Sequence, residues 1–293
     1  MNAWYPSRWG AEDEIGALNL VKAREIARAA SLARIGKVYN LGRAIAPGIP
    51  IHPFHGPMLI STYHRHSESL RAPGKKNDAG GMNTRLEMSD HTGTHIDGLN
   101  HISIGERLYN GHVSDQITGA GGTSKLGMEK TPAIFTRGVM LDVAALRGVD
   151  VLGPGEPVGS EDLRTILAKS GKRIMRGDAV LVATGWGRLW GKDDEKYGGP
   201  CPGINLSAAE WLTEKGAVVF GADTWNGEVD PTEDQQGADA VHQHMLAKSG
   251  VRIIENMYLE ELQRDGVVEF LFVCLPLRLK GATGSPVTPI AVV

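Results

Sequence analysis

The amino-acid sequence predicts a single α/β domain that spans residues 1–293. The chain has 293 residues, of which 41% are hydrophobic and 22% are charged, as in globular proteins with a core of ordinary size. In the second half, apolar β-branched runs alternate with amphipathic runs, which is typical of α/β proteins. No segment is long enough or low enough in complexity to act as a linker between domains.

The first 36 residues predict a helical N-terminal arm. Acidic residues precede the run VKAREIARAASLARIG, whose apolar residues recur at helical spacing over 11–31, and Gly36 follows its end. Trp4, Tyr5 and Trp9 stand before this helix. A monomer would have difficulty covering these aromatic side chains, so we expect them either to contact a second subunit or to fold back onto their own core.

The segment 71–82, RAPGKKNDAGGM, predicts a mobile loop because it has no apolar periodicity. It ends shortly before a histidine-rich stretch at 90–101. We therefore expect it to act as a lid over the site described below.

The second half predicts alternating strands and helices. Residues 138–144 and 178–186 are apolar runs typical of buried strands. Residues 160–171 predict a helix with Ser160 as its N-cap and Gly171 after its end. The remaining predicted elements are a helix at 206–216, a strand at 217–223, a helix around 237–249, the strand VRIIE and a strand at 268–277.

Charge and cysteine content exclude several classes of function. The net charge is -3, without a basic run that contains aromatic residues, so we expect neither nucleic acid nor an anionic membrane as a partner. The N-terminus lacks the pattern of a signal peptide, and no apolar run is long enough to span a bilayer. Cys201 and Cys274 form no CxxC pair. These features predict a cytoplasmic protein.

The stretch DHTGTHIDGLNH, residues 90–101, contains three of the ten histidines of the chain. In an extended strand His91 and His95 would be roughly 13 Å apart, which is too far for two ligands of one ion. In a helix the pair His91 and His95 would face away from the pair Asp97 and His101. A bent segment is therefore expected, with bends at the glycines of this stretch, residues 93 and 98.

His91, His95 and Asp97 are candidate metal ligands. Two imidazoles and a carboxylate suit Zn²⁺, Mn²⁺ or Fe²⁺ and leave room for water. The alternative is that these side chains only cap turns in a polar loop. His101 is either a fourth ligand or a proton carrier beside the ion, since the pKa of imidazole lies near the working pH.

The motif HTGTHIDGLNH resembles the HxGTHxDxxxH signature of the cyclase family, which includes bacterial kynurenine formamidases and isatin hydrolases. Blocks over most of the chain are similar as well, including SRWGAEDEIGALNL, GDAVLVATGWG and CLPLRLKGATGSPVTPIAV. The resemblance implies a swivelling β/β/α domain that assembles as a homodimer or homotetramer.

The resemblance also implies roles for individual residues. His91, His95 and Asp97 would bind the divalent ion, Mn²⁺ or Zn²⁺, and His101 would be the catalytic general acid/base. A second ion, or the substrate, would contact His242 and Glu255. His244 is the alternative to His242, and the spacing to Glu255 differs from that of the formamidases, so one or two ions remain open.

The implied activity is metal-dependent hydrolysis of an amide bond in a small molecule, either a cyclic amide or an N-formyl arylamine. No other cofactor is expected. A lactone or ester hydrolase of the same family is one alternative. A non-catalytic protein that binds a metal or another ligand is the second alternative.

Overall fold

A nine-stranded mixed sheet is the central element of the structure, a computed structural model that describes residues 4–70, 77–232 and 239–293. Its strands follow the chain as β1 (Val38–Asn40), β4 (His95–Asp97), β7 (Ile134–Asp142), β9 (Ala179–Ala183), β11 (Val219–Ala222), β12 (Arg252–Glu255), β13 (Glu269–Cys274), β14 (Gly284–Pro286) and β15 (Ile290–Val292). Three two-stranded pairs lie outside it: β2 (Leu59–His64) with β3 (Asn83–Glu87), β5 (Thr118–Gly119) with β6 (Gly122–Thr123), and β8 (Pro157–Val158) with β10 (Gly203–Ile204).

The order of the large sheet is β1-β15-β13-β7-β9-β11-β12-β4-β14. The four strands from β7 to β12 run parallel to their neighbours, and antiparallel strands flank them on both sides. The parallel strands are almost entirely buried, as expected when helices cover both faces. This arrangement confirms the α/β fold class predicted from the sequence.

Nine α-helices and several 3₁₀ turns connect the strands in the described part of the chain. The α-helices are α1 (Ala23–Ala30), α2 (His66–Leu70), α3 (Ser114–Ile117), α4 (Val143–Arg147), α5 (Ser160–Ser170), α6 (Asp194–Tyr197), α7 (Leu206–Lys215), α8 (Ala240–His242) and α9 (Glu260–Arg264). A π-helical segment, Gln243–Ser249, continues α8. The 3₁₀ turns are Gly16–Leu20, Pro53–His55, Tyr109–Gly111, Met128–Lys130 and Trp186–Leu189.

Several predicted element boundaries were wrong, and local hydrogen bonds explain the differences. The predicted helix at 11–31 is a 3₁₀ turn followed by α1, because the Glu25 carboxylate accepts a hydrogen bond from the Lys22 N–H and starts a new helix there. Gly159, not Ser160, is the N-cap of α5, and the carboxylate of Asp162 accepts its N–H. The Asp142 side chain caps α4, so β7 ends at Asp142 and the last two residues of the strand predicted over 138–144 belong to the helix.

Other boundaries moved by a few residues. The strands predicted at 178–186 and 268–277 are shorter, at Ala179–Ala183 and Glu269–Cys274. The helix predicted around 237–249 begins with α8 and continues as the π-helical segment, while 237 and 238 lie outside the described residues. Residues 71–76 of the predicted loop also lie outside them, and 77–82 contain neither helix nor strand.

The described part of the N-terminal arm packs on its own chain. The Asn110 side chain donates hydrogen bonds to the carbonyl oxygens of Gly10, Ala11 and Asp13 and accepts one from the Ser7 N–H. Trp9 packs against the hydrophobic core. The structure therefore shows these arm residues packed on their own chain, and contact of the arm with a second subunit stays a prediction. Among the described residues, no helix has the length and apolar content to cross a membrane.

Candidate metal centre and active site

The pairing of β4 with β12 brings His95, Asp97 and Glu255 to one face of the sheet. Glu255 lies directly opposite His95 in the antiparallel register. Asp97 follows His95 by two residues on the same strand, so its side chain points to the same face. Intervening Ile96 is fully buried on the other face. Two adjacent strands therefore supply an imidazole and two carboxylates to one buried space.

His91 reaches this space from the loop before β4. Gly93 adopts φ +64, a left-handed conformation that reverses the chain at little steric cost, as predicted. Gly98 has no left-handed φ, but the chain bends there in a turn whose His101 N–H donates to the Gly98 carbonyl oxygen at 3.1 Å. The Gly98 N–H donates to the Thr283 carbonyl oxygen at 2.6 Å, and a Cβ at Gly98 would lie 2.7 Å from the same oxygen.

His242 enters the same space from α8. Its Nε2 lies 3.1 Å from Glu255 Oε1 and 3.9 Å from Asp97 Oδ2. Glu228 accepts the backbone N–H groups of Val241 and His242, and its Oε2 lies 3.4 Å from His242 Nδ1. His244 points elsewhere, with its Nε2 2.8 Å from the Thr213 hydroxyl on α7. The structure therefore places His242 in the cluster and His244 outside it.

His101 lies beside His91 at the wall of the cavity. The two rings are tilted by 30° with centroids 4.0 Å apart. Polar atoms of His91, Asp97 and His101 lie within 4.8 Å of one another. This position is compatible with both roles predicted from the sequence: a fourth metal ligand and a proton carrier.

Several separations between donor atoms match those of ligands around one divalent ion, although the compact set that contains His91 and Asp97 includes His101 and not His95. His91 Nδ1 lies 3.0 Å and His95 Nε2 lies 3.5 Å from Asp97 Oδ1, and His95 Nε2 lies 3.4 Å from Glu255 Oε2. Ligands with bonds of about 2 Å to one ion are themselves roughly 3 to 3.5 Å apart. His91 Nδ1 and both Asp97 carboxylate oxygens are buried and accept or donate no hydrogen bond among the described residues.

The backbone fixes the protonation of His95. Its Nδ1 lies 2.9 Å from the Gly93 carbonyl oxygen, which can only accept, so Nδ1 carries a proton. Burial lowers the pKa of His95, and the neutral ring then presents a bare Nε2 to two carboxylates. A lone pair facing two negative groups is unfavourable unless a cation lies between them.

Burial and the neighbouring imidazoles determine the charge of the other groups. Burial alone would raise the pKa of Asp97, but the imidazoles of His101 and His91 outweigh it and hold that pKa below its usual range. Burial raises the pKa of Glu255 and lowers the pKa of His101 to about 3. Asp97 is therefore an anion and His101 is neutral near pH 7.

Comparison with known proteins identifies the family. The model of the family described as "Putative cyclase" matches residues 39–229. The chain belongs to this cyclase family. A kynurenine formamidase of Bacillus cereus is 29% identical over 220 residues, which is 75% of this chain and 84% of the relative. A second Bacillus cereus kynurenine formamidase is 27% identical over the same shares.

Solved structures of cyclase-family proteins share the fold. The crystal structure of a novel cyclase superposes with a TM-score of 0.89 at 30% identity and covers 98% of this chain and 96% of its own. Isatin hydrolase A from Ralstonia solanacearum has a TM-score of 0.66 at 21% identity and covers 92% and 97%. The whole described chain is thus built like other members of the cyclase family.

The cluster of imidazoles and carboxylates in this cyclase-family member opens into a cavity of about 620 Å³. Apolar side chains and rings line the outer part, where His52 stacks on Trp225 with centroids 5.4 Å apart and a 23° tilt. His55 stacks on His91 at 4.9 Å and 16°. Trp225, His52 and His55 therefore face the cavity. Trp186 is instead fully buried in a separate hydrophobic cluster.

Three residues around the cluster, Asp90, Glu228 and Thr283, were not predicted from the sequence. Glu228 and Thr283 lie far along the chain from the motif, and Asp90 precedes it. The only available signal for Thr283 was the C-terminal block GATGSP, which resembles the family without indicating a role. Their contacts depend on the pairing of distant strands, which local spacing does not predict.

Proposed function

We propose that the protein is a metal-dependent hydrolase that cleaves an amide bond in a small molecule. The observation that carries the proposal is the buried set of imidazoles and carboxylates that opens into a cavity suited to a small ligand. Relatives at 27–29% identity that are kynurenine formamidases support the amide bond as the target.

His91, His95 and Asp97 would hold one divalent ion, Zn²⁺ or Mn²⁺. Asp97 also belongs to a second set of donors with His242 and Glu255, which would hold a second ion. When bound, such an ion makes water nucleophilic near neutral pH and polarises a carbonyl group.

The remaining chemistry belongs to side chains of the cavity. His101 lies at the wall of the cavity beside His91 and would take a proton from the attacking water and deliver it to the departing nitrogen. The apolar rim excludes bulk water and would bind the hydrocarbon part of the substrate. The ring pair His52 and Trp225 favours a planar substrate such as an N-formyl arylamine or a ring-fused cyclic amide.

A direct test measures metal content and turnover together. The protein is loaded with Zn²⁺ or Mn²⁺ and assayed with N-formyl arylamines, cyclic amides and lactones. We expect amide hydrolysis that EDTA abolishes and added metal restores. His91→Ala, His95→Ala and Asp97→Ala should each lose metal and activity, while His66→Ala, at an exposed histidine outside the cavity, should retain both.

The two alternative functions are distinguishable in the same assay. Turnover of lactones without amides would identify an ester-type hydrolase. Tight metal binding without turnover of any compound would identify a binding protein. Wild-type metal content in the three ligand variants would show that these residues are not the ligands.

A further inference from the structure

We propose that Thr283 and Asp90 are positioning residues that fix the orientation of His91, so that Nδ1 is its metal-binding nitrogen. This inference rests on the proposed function as a metal enzyme and goes beyond it. It assigns a task to the C-terminal segment, because Thr283 follows His91 by 192 residues.

The Asp90 carboxylate is held as a pure acceptor. Its Oδ2 accepts hydrogen bonds from the Thr283 N–H at 2.9 Å, the Gly284 N–H at 2.9 Å and the Thr283 hydroxyl at 3.1 Å. Three donors around one oxygen leave no place for a proton on that oxygen. The carboxylate is therefore fixed in orientation by the strand β14 and the residue before it.

The Thr283 hydroxyl passes this orientation to His91. A hydroxyl has one proton, and here it is donated to Asp90, so Thr283 Oγ1 can only accept from any other group. His91 Nε2 lies 3.0 Å from this oxygen. Nε2 must therefore carry the proton of the neutral ring. In the neutral ring, which is the form that binds a metal, the lone pair is then on Nδ1, 3.0 Å from Asp97 Oδ1.

Gly284 supports the same orientation by contact. A Cβ at Gly284 would lie 2.7 Å from His91 Cε1 and 2.9 Å from its Nε2, so the imidazole rests directly on the backbone. Gly284 is also the register partner of Asp97 in the pairing of β14 with β4. One edge strand thus lies behind the His91 ring and beside the strand that carries Asp97.

Loss of the Thr283 hydroxyl should weaken metal binding. Without it, His91 can carry its proton on either nitrogen, and the ring loses the hydrogen bond that holds its plane. Removing an outer hydrogen-bond partner of a metal-binding histidine typically lowers metal affinity about 10- to 100-fold.

The experiment compares variants of Thr283 that lack or retain the side-chain hydroxyl. Thr283→Val removes the hydroxyl and keeps the branched shape, whereas Thr283→Ser keeps the hydroxyl. Zn²⁺ affinity is measured by competition with a chromophoric chelator, and thermal unfolding of the metal-free proteins serves as the control for folding. We expect Thr283→Val to bind Zn²⁺ about 10-fold or more weakly, Thr283→Ser to bind within about 3-fold of the wild type, and Asp90→Asn to be weakened as well.

A second measurement reads the nitrogen directly. Long-range ¹H–¹⁵N spectra of the Zn²⁺-loaded protein labelled at histidine should show His91 protonated at Nε2 and bound to metal through Nδ1. Metal binding through Nε2, or wild-type affinity in a folded Thr283→Val protein, would overturn this inference alone. A wild-type protein that binds no Zn²⁺ would overturn the proposed function and this inference together.

Discussion

At the scale of single residues, the cavity contains histidines with different tasks and different surroundings. The His95 ring is fixed by the Gly93 carbonyl oxygen, and the His242 ring lies between the carboxylates of Glu228 and Glu255. The His101 ring instead stacks on its neighbour His91 and is neutral because burial lowers its pKa. His101 therefore lies beside two candidate ligands as a neutral ring, and the His101→Ala variant separates its two predicted roles, proton transfer and metal binding.

The first prediction follows for His101→Ala. If the ring transfers protons, the variant should retain wild-type metal content and lose about 10²-fold or more in kcat. Metal analysis and steady-state kinetics on the same preparation test this, with His66→Ala as the control. Loss of the ion would instead show that His101 is a ligand, and unchanged kcat would exclude the catalytic role.

The second prediction concerns His244, which lies outside the cluster. Burial, with a smaller effect of Lys248, lowers its pKa from 6.5 to about 4. Between pH 6.5 and 4 the unfolded chain therefore binds a proton at His244 that the folded chain does not bind, so acidification in this window lowers stability. On acidification from pH 6.5 to pH 4, the wild type should therefore lose more unfolding free energy than His244→Gln. The expected difference is on the order of 1–2 kcal/mol after allowance for the partial exposure of His244.

Urea unfolding at pH 7 and pH 4.5, with the metal removed from both proteins, measures this difference. His66→Gln provides the control, since His66 is exposed on α2. An equal loss of stability in the wild type and in His244→Gln would contradict the prediction.

At the scale of elements, the bend at Gly93 lets the motif converge. Its φ of +64 is strained for other residues, and a Cβ there would lie 2.9 Å from Ile45 Cγ1. Gly148 has a similar φ of +69 but no atom within 4 Å of a Cβ, which makes it a matched control. Alanine substitutions at the two glycines therefore distinguish two contributions to the unfolding free energy: left-handed backbone strain alone at Gly148, and strain plus crowding beside the candidate metal ligands at Gly93.

The third prediction compares Gly93→Ala with Gly148→Ala. The control should cost about 1 kcal/mol of unfolding free energy for the left-handed backbone alone. Gly93→Ala should cost about 2–4 kcal/mol because crowding at Ile45 adds to this strain, and it should also reduce metal content by displacing His91. Urea unfolding and metal analysis test both. Equal costs with normal metal content would show that the bend adapts without effect on the cluster.

The residues of the motif itself predicted the local part of the site: a bent segment with His91, His95 and Asp97 as candidate ligands and a bend at Gly93. The distant residues His242 and Glu255 were predicted only through the family resemblance, and Thr283 was not predicted. Glu255 and Thr283 come from β12 and β14, and only the register of these strands against β4 brings them to the motif. His242 was chosen over His244 by resemblance, because a residue pair two apart on a short segment gives no indication of which side chain faces inward.

At the scale of the whole molecule, the pair of strands β2 and β3 stands apart from the rest of the fold. Every residue of β3 is exposed, as are nearly all residues of β2. Their exposed side chains include several large apolar ones: Leu59, Ile60, Tyr63 and Leu86. An isolated two-stranded hairpin is only marginally stable in water, and an apolar surface of this kind marks an interaction site.

We expect a second copy of the chain to cover this hairpin, in agreement with the homo-oligomer predicted from the sequence. The N-terminal arm is the weaker candidate for the subunit contact, because its described residues pack on the turn around Asn110 of their own chain. In the chain, the hairpin follows residues 50–55, which line the cavity. A partner bound to the hairpin would therefore also lie close to the mouth of the site.

The last prediction tests the hairpin with a charged pair. Ile60 and Leu86 are direct cross-strand partners and are 47% and 51% exposed. The double variant Ile60→Glu, Leu86→Lys keeps a favourable cross-strand pair within the hairpin but places charges where a partner would need an apolar surface. Sedimentation equilibrium should show an oligomer for the wild type and a folded monomer for the variant. Val149→Glu, at an apolar residue 45% exposed elsewhere, should remain oligomeric. An oligomeric double variant would exclude the hairpin from the interface, and a monomeric wild type would show that no such interface forms.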